Sequence, residues 1–239
     1  MDSSSTFSFK QFKVCQDRCA MKIGTDSVLL GAWASTKHNP ASILDIGAGT
    51  GILSLMLAQR SNANTIEAIE IDDDAFEQCA ENFEDSPWND RLFCFHASLI
   101  EYIEAVDDKF DLIVCNPPFY SEDYKTKDRS RNLARFSDAM PLQHLILAAY
   151  HFLSNTGKFS LIIPYKSEQL VIQEANIAGL NPERILRVKG NPNSEIKRSL
   201  LEFTFQHNTP NISELIIESQ RHVYTKDYID LTKEFYLKM

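Results

Sequence analysis

From residue 42 to about residue 206 the chain alternates short apolar runs with stretches of helical periodicity. That alternation is the pattern of βαβ units built around a parallel sheet. Seven runs read as strands, at 43–46, 65–71, 92–95, 110–115, 158–163, 182–188 and 200–206. Helical patterns fall near 51–60, 73–84, 98–105, 141–154 and 166–178. The prediction is an α/β fold: a Rossmann-like, doubly wound, seven-stranded, mostly parallel sheet with helices on both faces. Asp72 reads as the N-cap of the helix at 73–84 and Asp138 as the cap of the helix that opens at Pro141, whose end Gly157 follows.

Two segments flank this core within one predicted domain spanning 1–239. In the first, 1–41, Lys22-Ile-Gly-Thr-Asp-Ser27 leads into the apolar run Val28-Leu-Leu-Gly-Ala-Trp33, with Thr25 or Asp26 as the expected helix cap. In the second, 207–239, a strand is expected near 214–218. An amphipathic helix is expected over 226–237, with Tyr228, Ile229, Leu231 and Phe235 on its apolar face.

Composition narrows the class. No apolar run approaches the roughly 20 residues needed to span a membrane, and the N-terminus has neither the basic nor the apolar region of a signal peptide. Five cysteines form no paired framework, and Cys15 and Cys19 lack a second ligand pair, so no metal is expected. The expectation is a cytoplasmic monomer with reduced thiols. The net charge is −9, but it is unevenly spread: residues 1–122 carry 8 Lys/Arg against 20 Asp/Glu, and residues 123–239 carry 16 against 13. Lys125, Lys127, Arg129, Arg131 and Arg135 fall within eleven residues whose only acid is Asp128. A second basic group comprises Arg184, Arg187, Lys189, Lys197 and Arg198.

Two loops carry candidate chemistry. Asn116-Pro117-Pro118-Phe119 follows the strand at 110–115, where a parallel sheet delivers its active site. An amide and a carbonyl can accept the hydrogens of a flat amino group, and an aromatic ring can stack on its plane. The same four residues also suit a rigid corner before a core phenylalanine. The other loop is Leu44-Asp45-Ile46-Gly47-Ala48-Gly49-Thr50-Gly51, which closes the first strand and opens a helix. It fails the dinucleotide pattern GxGxxG, because the last position counted from Gly47 is Ile52, and it lacks the GK[ST] of a P-loop.

The pattern DxGxGxG resembles the first motif of class I S-adenosylmethionine-dependent methyltransferases. That resemblance implies the class I methyltransferase fold and S-adenosyl-L-methionine as cofactor. It assigns Asp45 to the donor's ammonium and Gly47, Gly49 and Gly51 to the space around its methionine and ribose. Glu70, 23 residues after Gly47, would hold the ribose hydroxyls, with Asp72 as the alternative. Ser98 stands where the family commonly has an Asp that receives the adenine amino group. The NPPF segment resembles the [DNS]PP[YFW] motif of amino-methyltransferases acting on adenine-N6, cytosine-N4 or glutamine-N5. The Asn116 oxygen and the Pro117 carbonyl would then hold the two N–H groups, with Pro118 stiffening the turn and Phe119 stacking on the target.

The segments Phe9–Trp33, Leu133-Ala-Arg-Phe136, Arg198–Phe203 and Tyr224–Leu237 resemble one bacterial family, the tRNA1(Val) adenine-37 N6-methyltransferases. That resemblance implies a tRNA partner, with Thr25 and Asp26 closing over the methionine end of the donor. Lys125, Lys127, Arg129, Arg131 and Arg135 would grip phosphates near the target base. Two other functions share parts of the pattern: a protein glutamine-N5 methyltransferase, which needs no basic groove, and a donor-binding RNA chaperone without turnover.

Overall fold

The computed structural model describes residues 5–118 and 140–239. The chain opens with a small hairpin of β1 (Thr6–Ser8) and β2 (Lys13–Cys15), followed by α1 (Thr25–Trp33). Five strands then alternate with helices: β3 (Ser42–Ile46), α2 (Ile52–Arg60), β4 (Thr65–Glu70), α3 (Asp73–Glu84), β5 (Leu92–His96), α4 (Leu99–Ala105), β6 (Phe110–Cys115), α5 (Leu142–Phe152) and β7 (Leu153–Pro164). After these come α6 (Glu168–Ile177), β8 (Asn181–Lys189), β9 (Ile196–Thr204), β10 (Asn211–Ile216), the ribbon β11 (Glu218–Gln220) and β12 (Val223–Tyr224), and α7 (Lys226–Thr232).

The main sheet has the order β10-β8-β9-β7-β6-β3-β4-β5, and only β9 runs against the rest. Successive residues of a strand face opposite sides, and both sides are covered. Ile43, Leu112 and Val114 pack into one core with α1, α2 and α7, while Leu44, Ile113 and Phe159 pack into the other with α5 and α6. The central strands therefore read as continuous apolar runs. The chain leaves β3 toward β4 and β5, then returns to β6 on the other side of β3. The crevice above the ends of β3 and β6 is the topological switch point, where such sheets bind ligands.

Several expectations are revised. The sheet gains an eighth strand, because 211–216 pairs in parallel with β8. Gly157 lies inside β7 rather than after a helix, and a Cβ there would meet the Phe110 carbonyl oxygen at 2.8 Å. The close approach accompanies a shift of register between β6 and β7. Pro141, without a side-chain hydrogen bond, caps α5, and Asp138 is outside the described residues. Neither Thr25 nor Asp26 caps α1: Gly24 occupies that position and makes no side-chain cap. Asp72 does cap α3, accepting from the Ala75 N–H at 2.9 Å. The closing helix stops at Thr232 because the following residues turn back onto the N-terminal hairpin. Phe9 bridges Tyr236, the Lys10 N–H donates to the Phe235 carbonyl at 2.9 Å, and Lys10 Nζ donates to the Met239 carbonyl at 3.0 Å.

Candidate active site

The glycine loop is bound to the neighbouring strand before any ligand is considered. The N–H groups of Gly47 and Ala48 both donate to the Ile69 carbonyl, at 3.0 and 3.1 Å. Glu70, the last residue of β4, accepts the Gly49 N–H on Oε2 at 2.8 Å. Its Oε1 accepts the N–H groups of Ile71 and Asp72, at 2.9 and 3.0 Å. One carboxylate thus ties the loop to the next turn. The three motif glycines have φ of +75°, +54° and +76°, a left-handed region that glycine enters without the strain a Cβ brings. Their surroundings differ. A Cβ at Gly47 or Gly49 would meet nothing within 4 Å, whereas at Gly51 it would lie 2.5 Å from Phe83 and 2.8 Å from Cys79 Sγ. Gly47 and Gly49 present bare backbone to a cavity, and Gly51 lets α3 pack against the loop.

Asp45 does not reach that cavity. Its side chain is fully buried beneath the loop, where Oδ2 accepts the Ser54 hydroxyl at 2.8 Å and the Ser54 N–H at 3.2 Å. Oδ1 is buried and has no partner among the described residues. Burial pushes the carboxyl pKa up to about 7, which the Ser54 hydrogen bonds only partly oppose. The direct ammonium contact expected of Asp45 is therefore not formed by this placement; the residue braces the start of α2.

A cavity of about 450 Å³ opens at the switch point. Its walls bring together Thr25, Asp26 and Ser27 of α1, Gly47 and Gly49 of the loop, Asn116, Pro117 and Pro118 after β6, and Arg198 of β9. The Asn116 side-chain nitrogen donates to the Ser27 hydroxyl at 2.9 Å. Arg198 Nε donates to Asp26 Oδ2 at 2.7 Å. A smaller recess of about 170 Å³ shares Gly47 and is lined by Glu70, Ile71, Ala97, Ser98, Met140 and His144, among others. Ser98 lines it, and its hydroxyl oxygen also makes a helix cap. It caps α4 by accepting the Glu101 N–H at 3.2 Å, while the Glu101 carboxylate accepts the Ser98 N–H at 2.8 Å. This reciprocal cap fixes Ser98 at the start of α4. The spacing Ser98-x-x-Glu101 was a legible signal for it.

The second basic group mostly resolves into ion pairs. Arg184 donates to the buried Glu202 at 3.3 Å and stacks 4.2 Å over the Trp33 ring. Arg187 donates to the nearly buried Glu168 at 2.7 Å, and Lys189 pairs with Glu214 at 3.0 Å. Only Lys197, whose nearest acid is Glu195 at 4.0 Å, remains a largely exposed cation, while Arg198 enters the cavity. Ser27 and the Asp26–Arg198 pair were not foreseen as partners, because their contacts join positions 89 and 172 residues apart. Phe119 and the segment with Lys125, Lys127, Arg129, Arg131 and Arg135 lie outside the described residues. Among those described, no cluster of His, Cys, Asp or Glu could hold a metal ion, and no helix is long and apolar enough to cross a membrane.

Comparison with known proteins agrees with this geometry. Residues 20–174 match the model of the methyltransferase small domain. A solved structure described as a predicted O-methyltransferase from Agrobacterium tumefaciens superposes with a TM-score of 0.66 at 19% identity, covering 88% of this chain and 96% of that one. A ribosomal protein L11 methylase from Lactobacillus delbrueckii gives 0.54 at 21% identity, covering 76% and 77%. These likenesses establish the class I methyltransferase fold. Two curated relatives carry the name tRNA1(Val) (adenine(37)-N6)-methyltransferase. The protein from Flavobacterium psychrophilum is 60% identical over 98% of this chain and 100% of its own length. That from Flavobacterium johnsoniae is 61% identical over the same shares. With sequence identity at that level across nearly the whole length, the chain belongs to the tRNA1(Val) (adenine(37)-N6)-methyltransferase family.

Proposed function

We propose that this chain transfers a methyl group from S-adenosyl-L-methionine to the N6 amino group of adenine 37 in tRNA1(Val). The single observation that carries the reading is the meeting of Asn116 and the bare glycine backbone in one cavity. The donor supplies an activated methyl on a sulfonium, so neither a strong base nor a metal is needed. The residues present fit such a group: Gly47 and Gly49 leave room where any side chain would intrude, and Glu70 stands at the adjoining recess, as a ribose-binding acid should.

The chain's own task is to aim a poor nucleophile. The N6 lone pair is delocalised into the purine. An oxygen of Asn116 and the Pro117 carbonyl, both acceptors, can bind its two N–H groups and hold the nitrogen in line with the methyl. These acceptors also stabilise the positive charge that the nitrogen gains as the new C–N bond forms. When bound, the donor would supply a methyl whose transfer leaves the C–S electron pair on sulfur, and the nitrogen held by Asn116 and Pro117 would lose its excess proton to solvent. Phe119 stacks on the base in this reading, a contact worth about 1–3 kcal/mol in comparable sites. Lys125, Lys127, Arg129, Arg131 and Arg135 take phosphates of a tRNA loop in the cytoplasm.

The test is Asn116→Ala with unmodified tRNA1(Val) as substrate. The variant should bind the donor normally and lose turnover, and nucleoside mass spectrometry should find N6-methyladenosine at position 37 only with the unaltered protein. Near-normal turnover in the variant would refute the mechanism, and methylation of a protein glutamine in place of tRNA would refute the substrate.

A further inference from the structure

We propose that Asp26 and Arg198 together seat the amino-acid end of the methyl donor, Asp26 taking its α-ammonium and Arg198 its α-carboxylate. This assignment rests on the methyl-donor reading of the cavity; to Asp26, which the family resemblance already places at the methionine end, it adds Arg198 and a division of the two charges between them.

The argument begins with the charges in the cavity walls. Lys22, Asp26 and Arg198 are the only charged side chains among the described residues that line the cavity. Among the described residues Asp26 is thus the only acid in those walls, because Asp45 is sealed below the glycine loop. An α-amino acid presents an ammonium and a carboxylate at fixed separation, and a neighbouring acid and base are its electrostatic complement.

The pair has capacity to spare. Arg198 uses Nε on Asp26 at 2.7 Å and Nη1 on the Lys197 carbonyl at 3.2 Å. Its Nη2 has no acceptor, and Asp26 Oδ1 no donor, among the described residues. Each partner can therefore take one end of the ligand while keeping the other partner. The four charges would then alternate in sign around a ring, which adds attraction without burying any net charge.

A purely structural role explains the pair less well. The side chains remain 39% and 36% exposed, and ion pairs that open to water contribute little to folding. The two arginine–glutamate pairs made by β8, one on each face of the sheet, differ in kind. Glu202 and Glu168 are buried and accept several hydrogen bonds each. Those pairs hold the sheet to its helices, whereas Asp26–Arg198 spans the mouth of a cavity.

Three probes separate the two ends of the ligand in a direct binding assay. S-adenosylmethionine carries both charged groups, decarboxylated S-adenosylmethionine keeps only the ammonium, and 5′-methylthioadenosine carries neither. Arg198→Ala should weaken S-adenosylmethionine by about tenfold or more and leave the decarboxylated probe within about twofold of the unaltered protein. Asp26→Asn should weaken both ammonium-bearing probes by about tenfold. Binding of 5′-methylthioadenosine should be the same in all three proteins, which also verifies that the variants are folded. Arg198→Lys should recover part of the loss.

Equal losses for the two charged probes in Arg198→Ala would overturn the assignment. Unchanged donor binding with a raised tRNA KM would do the same, because Arg198 would then be a phosphate contact. If the unaltered protein bound neither S-adenosylmethionine nor 5′-methylthioadenosine, the methyl-donor reading itself would fall, a result distinct from failure of the ion-pair assignment.

Discussion

The side-chain nitrogen of Asn116 donates a hydrogen bond to the hydroxyl of Ser27, 2.9 Å away and 89 residues earlier in the chain. The contact gives the amide nitrogen a partner and leaves the oxygen as the acceptor that the proposed mechanism calls for. It also makes the first turn of α1 a support for the turn after β6. Ser27→Ala should lower kcat about fivefold, equivalent to the ~1 kcal/mol of one neutral hydrogen bond. The donor's Kd should stay within about twofold, since Ser27 acts through Asn116. Ser27→Thr, which keeps the hydroxyl, should restore most of the rate. Steady-state kinetics combined with donor titration checks this, and equal rates in the alanine and serine proteins would contradict it.

Two glycines of one motif should fail in different ways. At Gly51 an alanine would strike Phe83 and Cys79 in a left-handed backbone, so Gly51→Ala should cost about 2–4 kcal/mol of stability. At Gly49 the space is open, so Gly49→Ala should cost only the backbone strain of about 1 kcal/mol but weaken donor binding markedly. Urea unfolding and donor titration on the two variants separate packing from ligand access. Similar unfolding midpoints for both would show the distinction to be wrong.

The buried Asp45 should leave a signature in the pH dependence of stability. Its carboxyl titrates near 3.9 in an unfolded chain and at about 7 in the fold, because burial disfavours the charge. Below both values the group is protonated in either state and has no effect on the pH dependence. Between about pH 4 and pH 7 the folded state binds the extra proton, so stability falls as pH rises, and above pH 7 the loss is complete. Asp45→Asn removes this proton. The stability of the unaltered protein minus that of the variant should therefore decline from pH 4 to pH 7 and then level off. A difference that was flat across this range would contradict it.

Glu202 should be among the most sensitive positions far from the cavity. It is fully buried and accepts the Ser35 N–H at 2.9 Å, the Ser160 hydroxyl at 3.0 Å and Arg184 at 3.3 Å. Glu202→Ala leaves these donors and a cation unpaired and should cost about 3–5 kcal/mol. Lys197→Ala, on an exposed side chain, should change stability by less than about 0.5 kcal/mol. Chemical denaturation of both variants measures the contrast.

Much of the core could be read in the chain because burial on both faces leaves a direct mark. The runs at 43–46 and 110–115 are apolar at nearly every position, and Asp72 stands where a cap must stand. Other features depended on partners that local pattern does not specify. Arg184 and Arg187 stood out only as part of a basic group, yet each neutralises a buried acid, Glu202 brought to Arg184 by strand pairing and Glu168 brought to Arg187 by α6. Gly157 looked like a helix stop until the register of β6 against β7 required a missing Cβ. The residue types of the cavity were legible in DxGxGxG and NPP, which follow their strands directly. Asp26, Ser27 and Arg198 needed the fold, since nothing near them in the chain indicates what they touch.

The turn that carries Phe235 and Tyr236 back onto Phe9 and Lys10 has a consequence for how the protein is made. The N-terminal hairpin leads directly into the segment that lines the cavity, and it is held from two sides that are synthesised far apart. Cys15 exchanges hydrogen bonds with Asn82 of α3, at 2.8 and 2.9 Å, and the Arg18 N–H donates to Gln78. A nascent chain can therefore dock its entrance on α3 early, and the tail adds a second clamp only when synthesis is nearly complete.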